Sequence, residues 1–355
     1  MKFILAILGL SILTVVTIDI LVTTLTLGGG GPITSRFTTW VWKLLIQIHR
    51  RHSNHRMLAT VGWVLLVSIT LIWYICTSIG WICLFNSATA AVINASSKEP
   101  ADIWETIYFV GYTLSTLGMG DYQPQGIVWQ MATVIASTNG FFLVTLSIAY
   151  LLPVVSAATE KRAFAVYISS LGGTADEILT ASWNGKDFED LSSHLSSITA
   201  SLTQLGEQHL TYPILHYFHS VERSRSLALS LVALDEALTL LHYAIPPENQ
   251  PNKATLNAAR RGSAAFLKTL KSAYLESANI EPPLPKLELL RSEGIPTCSN
   301  EEFVTATKQV SQRRKLLLAL VQNDGWTWNA IASSETTSRA SNLDDETVID
   351  DVVLH

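Results

Sequence analysis

Residues 113–124 read Thr-Leu-Ser-Thr-Leu-Gly-Met-Gly-Asp-Tyr-Gln-Pro, a hydroxyl- and glycine-rich stretch set between two long apolar segments. A helix needs about 20 apolar residues to cross a hydrocarbon core roughly 30 Å thick. Residues 57–85 and 127–152, on either side of the stretch, meet that length, and residues 3–27 form a third candidate span. This first run exceeds the roughly 7–15 apolar residues of a signal-peptide core, carries only Lys2 ahead of it, and lacks an evident small-x-small cleavage site. It reads as a retained helix. With 355 residues and 48% hydrophobic content, the chain is too apolar for an ordinary soluble protein, and the excess lies in its first 155 positions.

Loop charges orient the spans. Between residues 35 and 56 lie Arg36, Lys43, Arg50, Arg51 and Arg56 with no acidic residue among them, and Lys161 and Arg162 follow the third apolar segment. The opposite side carries only Lys2 and Lys98, with Glu99, Asp102 and Asp121 beside them. The positive-inside rule places 35–56 and everything after about Ser156 in the cytoplasm, with the N-terminus and residues 86–126 outside. Within 35–56, Phe37, Trp40, Val41, Leu44, Leu45 and Ile48 recur at helical spacing, as in a basic amphipathic helix lying in the inner interface.

The stretch at 113–124 resembles the selectivity filter of the potassium-channel pore-domain family, the prokaryotic two-helix type. That family's pattern is Thr-x-x-Thr-Val-Gly-Tyr-Gly-Asp followed by a proline. Thr113, Thr116, Gly118, Gly120 and Asp121 fall on the pattern, Pro124 follows, and Met119 stands where the family has an aromatic residue, giving the variant filter Thr-Leu-Gly-Met-Gly-Asp. The resemblance covers roughly residues 57–153. It implies an all-α membrane protein with an outer helix at 57–85, a pore helix and filter at 102–121 and an inner helix at 127–152. Together these form a pore module at 57–156. Segment 1–34 adds an N-terminal span and 35–56 the basic interfacial segment.

The residues themselves make chemical sense of that reading. Asp102-Ile-Trp-Glu105 has the form of a capping box opening a short helix. The C-terminal carbonyls of such a helix favour a cation at membrane depth. A filter strips water from an ion with stacked backbone carbonyls and, at its mouth, a threonine hydroxyl. Those carbonyls align only if alternate residues take φ > 0, which glycine at 118 and 120 adopts readily. By resemblance, Thr116, Leu117, Gly118, Met119 and Gly120 coordinate the ion, and Thr113, Ser115 and Asp121 support the filter. Gly140 matches the inner-helix gating hinge, and Pro153 is expected to bend or end that helix. Potassium is the expected permeant cation, with sodium the alternative that Met119 opens because it brings neither ring nor hydroxyl. No other metal and no cofactor is implied.

One loop cannot enclose an axis, so the resemblance implies a homotetramer in the cell (inner) membrane, embedded in lipid. A nonselective cation channel and a non-conducting, channel-like sensor are the alternatives. Gly118-Met-Gly-Asp121 also spells the Gly-x-Gly-Asp signature of intramembrane aspartyl proteases, with Asp19 in the first span as a second carboxylate. The outward position of Asp121 argues against an enzyme.

Residues 157–332 show helical patterning, expected at about 159–182, 187–208, 213–244, 252–277 and 300–322, and read as an all-helical cytoplasmic domain of unidentified ligand. No Gly-x-Gly-x-x-Gly follows a strand there, so no Rossmann regulator is expected. His209, His216, His219 and His242 gather in one region, with His216 and His219 expected on one helix face. Arg260-Arg261 and Arg313-Arg314-Lys315 read as solvated faces. Residues 333–355 form an acidic tail expected to be disordered. The net charge of −5, without a long Lys/Arg block, excludes a nucleic-acid binder. Three cysteines make no disulfide framework.

Overall fold

The computed structural model describes residues 2–26, 29–51, 54–273 and 275–332; the acidic tail at 333–355 lies outside them. The chain is helical apart from one two-stranded ribbon among the described residues. Its elements begin α1 (Lys2–Leu25), α2 (Pro32–Arg51), α3 (His55–Phe85), β1 (Val92–Asn94), α4 (Ile103–Leu114), β2 (Tyr122–Pro124) and α5 (Ile127–Leu171). They continue with α6 (Ala175–Ser182), α7 (Leu191–Thr211), α8 (Leu227–Tyr243), α9 (Lys253–Ala273), α10 (Glu288–Ser292), α11 (Asn300–Thr307), α12 (Ser311–Asn323) and α13 (Asn329–Ala332). Two compact units result: residues 1–43, 61–156 and 211–214 in the first, and 44–60, 157–210 and those from 215 onward in the second.

Three helices are long and apolar enough to cross a membrane: α1, α3 and α5, of 24, 31 and 45 residues. In the first unit, α1 and α3 approach through glycines. A Cβ on Gly9 would fall 2.6 Å from the Gly80 carbonyl oxygen, and one on Gly80 would fall 2.7 Å from Leu13 Cγ. Small residues at a crossing let two apolar helices touch backbone to side chain, which is how helices associate where lipid removes the hydrophobic drive.

Asp19, a charge within an apolar helix, is wholly buried. Its Oδ1 accepts hydrogen bonds from the backbone N–H of Ile33 (2.7 Å) and Thr34 (3.2 Å), and its Oδ2 from the Thr34 hydroxyl (2.6 Å) and Trp73 Nε1 (2.8 Å). The first N–H groups of a helix have no partner within it and carry the positive end of its dipole. The α1 carboxylate therefore caps α2 from another element. The cap needs glycine at 31, where a Cβ would fall 2.2 Å from Asp19 Oδ1.

The second unit is organised around α8, whose residues are buried without interruption from Leu227 to Leu241. A helix apolar on all sides has to be enclosed, and α6, α9 and α12 pack around it. Its two charges carry dedicated partners. Glu236 accepts a bidentate pair from Arg314 (Nε at 2.8 Å, Nη2 at 3.0 Å), while Arg314 also donates to the carbonyls of Pro282 and Pro283. Asp235 is held by Arg313 and by the Ser263 hydroxyl at 2.7 Å. The expected solvated basic face is thus corrected: Arg314 is fully buried as a counter-charge. Arg260 also has a partner, donating to Tyr243 Oη at 3.0 Å.

Other expectations on helix extent are corrected as well. Helix α5 neither ends at residue 152 nor stops at Pro153; it runs to Leu171, and α6 is separate. The span expected at 213–244 divides into short 3₁₀ turns at Pro213–Tyr217 and Arg223–Arg225 before α8 begins, because Pro213 cannot continue α7. His216 therefore lies in a 3₁₀ turn and His219 outside it, and they share no helix face.

The histidines are built into the second unit. His209 Nδ1 lies 2.8 Å from the Leu205 carbonyl, and the Asn323 amide lies 2.8 Å from His216 Nε2. His219 bridges Asp324 and His55, with its Nδ1 3.3 Å from Asp324 Oδ1 and its Nε2 3.0 Å from His55 Nδ1.

Two predictions follow from these buried groups. Asp19→Leu strands the α2 donors and Trp73 Nε1, at a cost of about 1–3 kcal/mol per group, and should lower the melting temperature in detergent while Asp121→Asn does not. Burial, then Lys161, depresses the His209 pKa to about 3 and that of His216 to about 4. Both are neutral when folded, so their contribution is complete above pH ~6.5 and lost as pH falls toward those values. Thermal denaturation at pH 7.5 and 5.0 should show a loss of about 1–2 kcal/mol per histidine, reduced in His209→Gln.

Candidate functional site: the pore loop

Helix α4 starts where local chemistry demands it. Asp102 Oδ1 accepts from the Glu105 N–H, and Glu105 Oε2 accepts from the Asp102 N–H, both at 2.8 Å, closing the capping box. The apolar side of α4, including Phe109, Val110 and Leu114, packs with Trp81 and Phe85 of α3. At its C-terminus the chain tightens: the Thr116 N–H donates to the Thr113 carbonyl at 3.1 Å and the Leu117 N–H to the Tyr112 carbonyl at 2.9 Å.

From there the backbone leaves regular structure in a specific rhythm. Thr116, Gly118 and Gly120 have φ of +59°, +60° and +86°, so every second residue from 116 to 120 lies in the left-handed region. Glycine takes this conformation at little cost, whereas a β-branched threonine there is strained and needs surrounding structure to hold it. Sequence reasoning assigned the alternation to Gly118 and Gly120; Thr116 extends it by one step. Residues 115–121 are all exposed, Leu117 at 66% and Met119 at 54%.

Tyrosines brace the loop from behind, and sequence reading missed them. Tyr108 Oη donates to Asp121 Oδ2 at 3.1 Å, Tyr112 Oη to the Tyr122 carbonyl at 2.6 Å, and Tyr122 Oη to Glu105 Oε1 at 2.7 Å. Glu105 therefore serves twice, capping α4 with one oxygen and holding Tyr122 with the other. Spacing carried part of this signal, since Tyr108 and Tyr112 stand four apart on one helix face. The strand at the loop's exit was also missed. β2 pairs antiparallel with β1 (Val92↔Pro124, Ile93↔Gln123, Asn94↔Tyr122), and the Ala95 N–H donates to the Asp121 carbonyl at 2.8 Å. A cavity of about 250 Å3 lies against the loop, bordered by Phe109, Thr113, Thr133 and Ser137.

The remaining site expectations fall as follows. Thr113 is buried at the end of α4, and the Ser115 hydroxyl donates to the Tyr112 carbonyl at 3.2 Å. Gly140 meets the last residue of α4 directly: a Cβ there would lie 2.1 Å from the Leu114 carbonyl oxygen. Its missing side chain is what lets α5 pass the end of α4. Pro153 lies within α5. Asp19 and Asp121 have separate partners, α2 and Trp73 for one and Tyr108 for the other, and share no hydrogen bond.

A short capped helix, a loop of alternating left-handed residues and a long apolar helix on either side are the parts of a two-helix channel pore. The family described as "Ion channel" matches residues 62–157, which take in all of α4, the loop and the first part of α5. The chain is also 38% identical over 321 residues to "Uncharacterized membrane protein YdjJ" of Bacillus subtilis (strain 168), covering 90% of this chain and 94% of that protein. Residues 62–157 of this chain form a pore region of the two-helix, potassium-channel-like ion-channel family, and the chain as a whole belongs to the same family as that membrane protein. No solved structure matches it.

The Gly140 contact gives a test. Gly140→Ala overlaps the Leu114 carbonyl and should destabilise the protein by about 1–3 kcal/mol, read as a lower melting temperature in detergent. Serine should behave as badly, and an unchanged melt in both would remove the packing role.

Proposed function

We propose that this protein is a cation channel that conducts potassium through the backbone carbonyls of Thr116, Leu117, Gly118, Met119 and Gly120. The observation that carries this reading is the alternation of left-handed residues at Thr116, Gly118 and Gly120. Adjacent carbonyls of an ordinary strand point to opposite sides; inverting every second φ turns them toward one side, where they can replace the water around an ion. The oxygens are uncharged, so the ion is held without being trapped.

In this reading the channel is a homotetramer. One loop presents one wall, and irregular backbone at membrane depth has to be enclosed by protein or face a water-filled path. Four copies around an axis supply both. The apolar faces of α5 exposed in the single chain, with Phe141 and Phe142 among them, suit lipid and neighbouring copies. By the positive-inside rule, the arginines at 36, 50, 51 and 56 support a reading in which the protein sits in the cell (inner) membrane with the second unit in the cytoplasm and the N-terminus outside. In that arrangement the second unit assembles or gates the pore, and Gly140 and Pro153 are where α5 bends.

Met119 sets the question of selectivity. A flexible thioether gives the filter no ring to pack behind it. The three tyrosines hold Asp121, Tyr122 and the first turn of α4 instead, and in this reading they keep the filter narrow enough for potassium over sodium.

Purified protein in planar bilayers, with potassium on one side and sodium on the other, tests this. The reversal potential should lie close to the potassium equilibrium value, and Gly118→Ala should abolish the current, since the left-handed conformation costs an alanine roughly 1–2 kcal/mol in every copy. Met119→Tyr should sharpen the preference and Tyr108→Phe should weaken it. A reversal near zero with robust current would make the protein a nonselective cation channel; no current at any voltage would favour a non-conducting sensor.

A further inference from the structure

The second unit contains a cavity of about 250 Å3 that the pore does not use. Trp328, Leu289, Ile331 and Pro285 contribute to its wall, and Asp176 and Glu236 bring carboxylates to it. The two acids differ. Glu236 is committed to Arg314 through two hydrogen bonds, so its charge is compensated. Asp176 Oδ1 is buried with no hydrogen-bond partner, and none of the ion pairs among the described residues includes Asp176. Its neighbour Glu177 is occupied elsewhere, accepting from the Gly173 N–H at 2.7 Å. Lys286, the remaining charge at the cavity, is exposed.

Asp176 as a whole is half-buried, but its Oδ1 is shielded from water without a donor, which is costly for a charged oxygen unless something else supplies the charge. The walls say what that is. An anion is disfavoured beside Asp176 and Glu236, and a hydrated metal ion would find few oxygens among tryptophan, leucine, isoleucine and proline. A molecule with one positive end and an apolar body satisfies both features, since the indole of Trp328 attracts a cation's flank as well as its hydrocarbon. The volume equals that of about eight waters, which sets the size. We propose that this cavity binds a small organic cation of the alkylammonium class, its charged end on Asp176 and its apolar body against Trp328.

Burial, then the nearby Glu177, raises the Asp176 pKa to about 6. The carboxylate is ionised at pH 7.5 and protonated at pH 5, whereas an alkylammonium stays charged throughout, so binding should weaken on acidification. The site stands apart from conduction, and its test needs no current.

Calorimetric titration of the full-length protein in detergent with butylammonium is that test, with butan-1-ol as the neutral molecule of matching shape and butyrate as the anion. Saturable binding is expected for butylammonium at pH 7.5, at least ten-fold weaker for butan-1-ol, and at least ten-fold weaker again at pH 5. Asp176→Asn keeps the side-chain shape and should lose at least ten-fold in affinity with an unchanged melting temperature; Trp328→Leu should lose affinity for the same probe. Lys286→Ala should bind equally well or better. Equal affinities for butylammonium and butan-1-ol, full binding by Asp176→Asn, no saturable heat, or butyrate binding that depends on Lys286 would each overturn the proposal.

Discussion

Backbone that is neither helix nor sheet has no ladder of its own to fix its course, and the first unit is arranged around that demand at residues 115–121. Each end of the loop is tied to regular structure. Its entry is fastened to the last turn of α4 by the amides of Thr116 and Leu117, and its exit is sewn into the ribbon of β1 and β2. Three phenolic hydroxyls, on Tyr108, Tyr112 and Tyr122, fix the distance between those ends. The left-handed residues persist because these attachments over-determine them, which is how a fold holds strain where it is useful. The absence of a side chain at Gly140 belongs to the same solution, since α4 could not otherwise end against α5.

The spans and the entry to α4 were legible in the sequence because they rest on local signals. Length and apolarity mark α1, α3 and α5, and the pairing of Asp102 with Glu105 is a four-residue pattern. What was not legible depended on partners far away in the chain. Arg314 looks like surface charge until Glu236, 78 positions earlier, is found against it. Asp19 looks anomalous in an apolar run until α2 turns back to present its N–H groups fourteen and fifteen residues on. The loop's own residues showed where glycine is needed, but the tyrosine brace depends on how the strand after the loop folds back beside α4. The end of α5 was misjudged for a local reason: proline disfavours helix interiors, yet α5 runs past Pro153 to Leu171.

Charge placement follows one rule in both units. Asp19, Asp235 and Glu236 are all buried, and each is met by several donors. Removing one partner from such a group costs more than the group's net contribution, because the remaining charge keeps its desolvation penalty. These carboxylates therefore fix a unique arrangement more than they add stability. A span docked on α2 in a different register would leave Asp19 unpaired, and so would a sequence lacking glycine at 31. Asp176, half-buried, differs in having a shielded oxygen that no donor meets, and that difference is what singles out its cavity.

The separation between Asp235 and Arg313 also has a consequence in time. The two residues lie 78 positions apart, so the acids of α8 leave the ribosome well before their bases exist. At about 5–20 residues per second the wait lasts roughly 4–16 s. Through that interval the acids of α8 have none of the arginines that meet them in the folded chain. The two buried ion pairs thus form only after synthesis has passed residue 314.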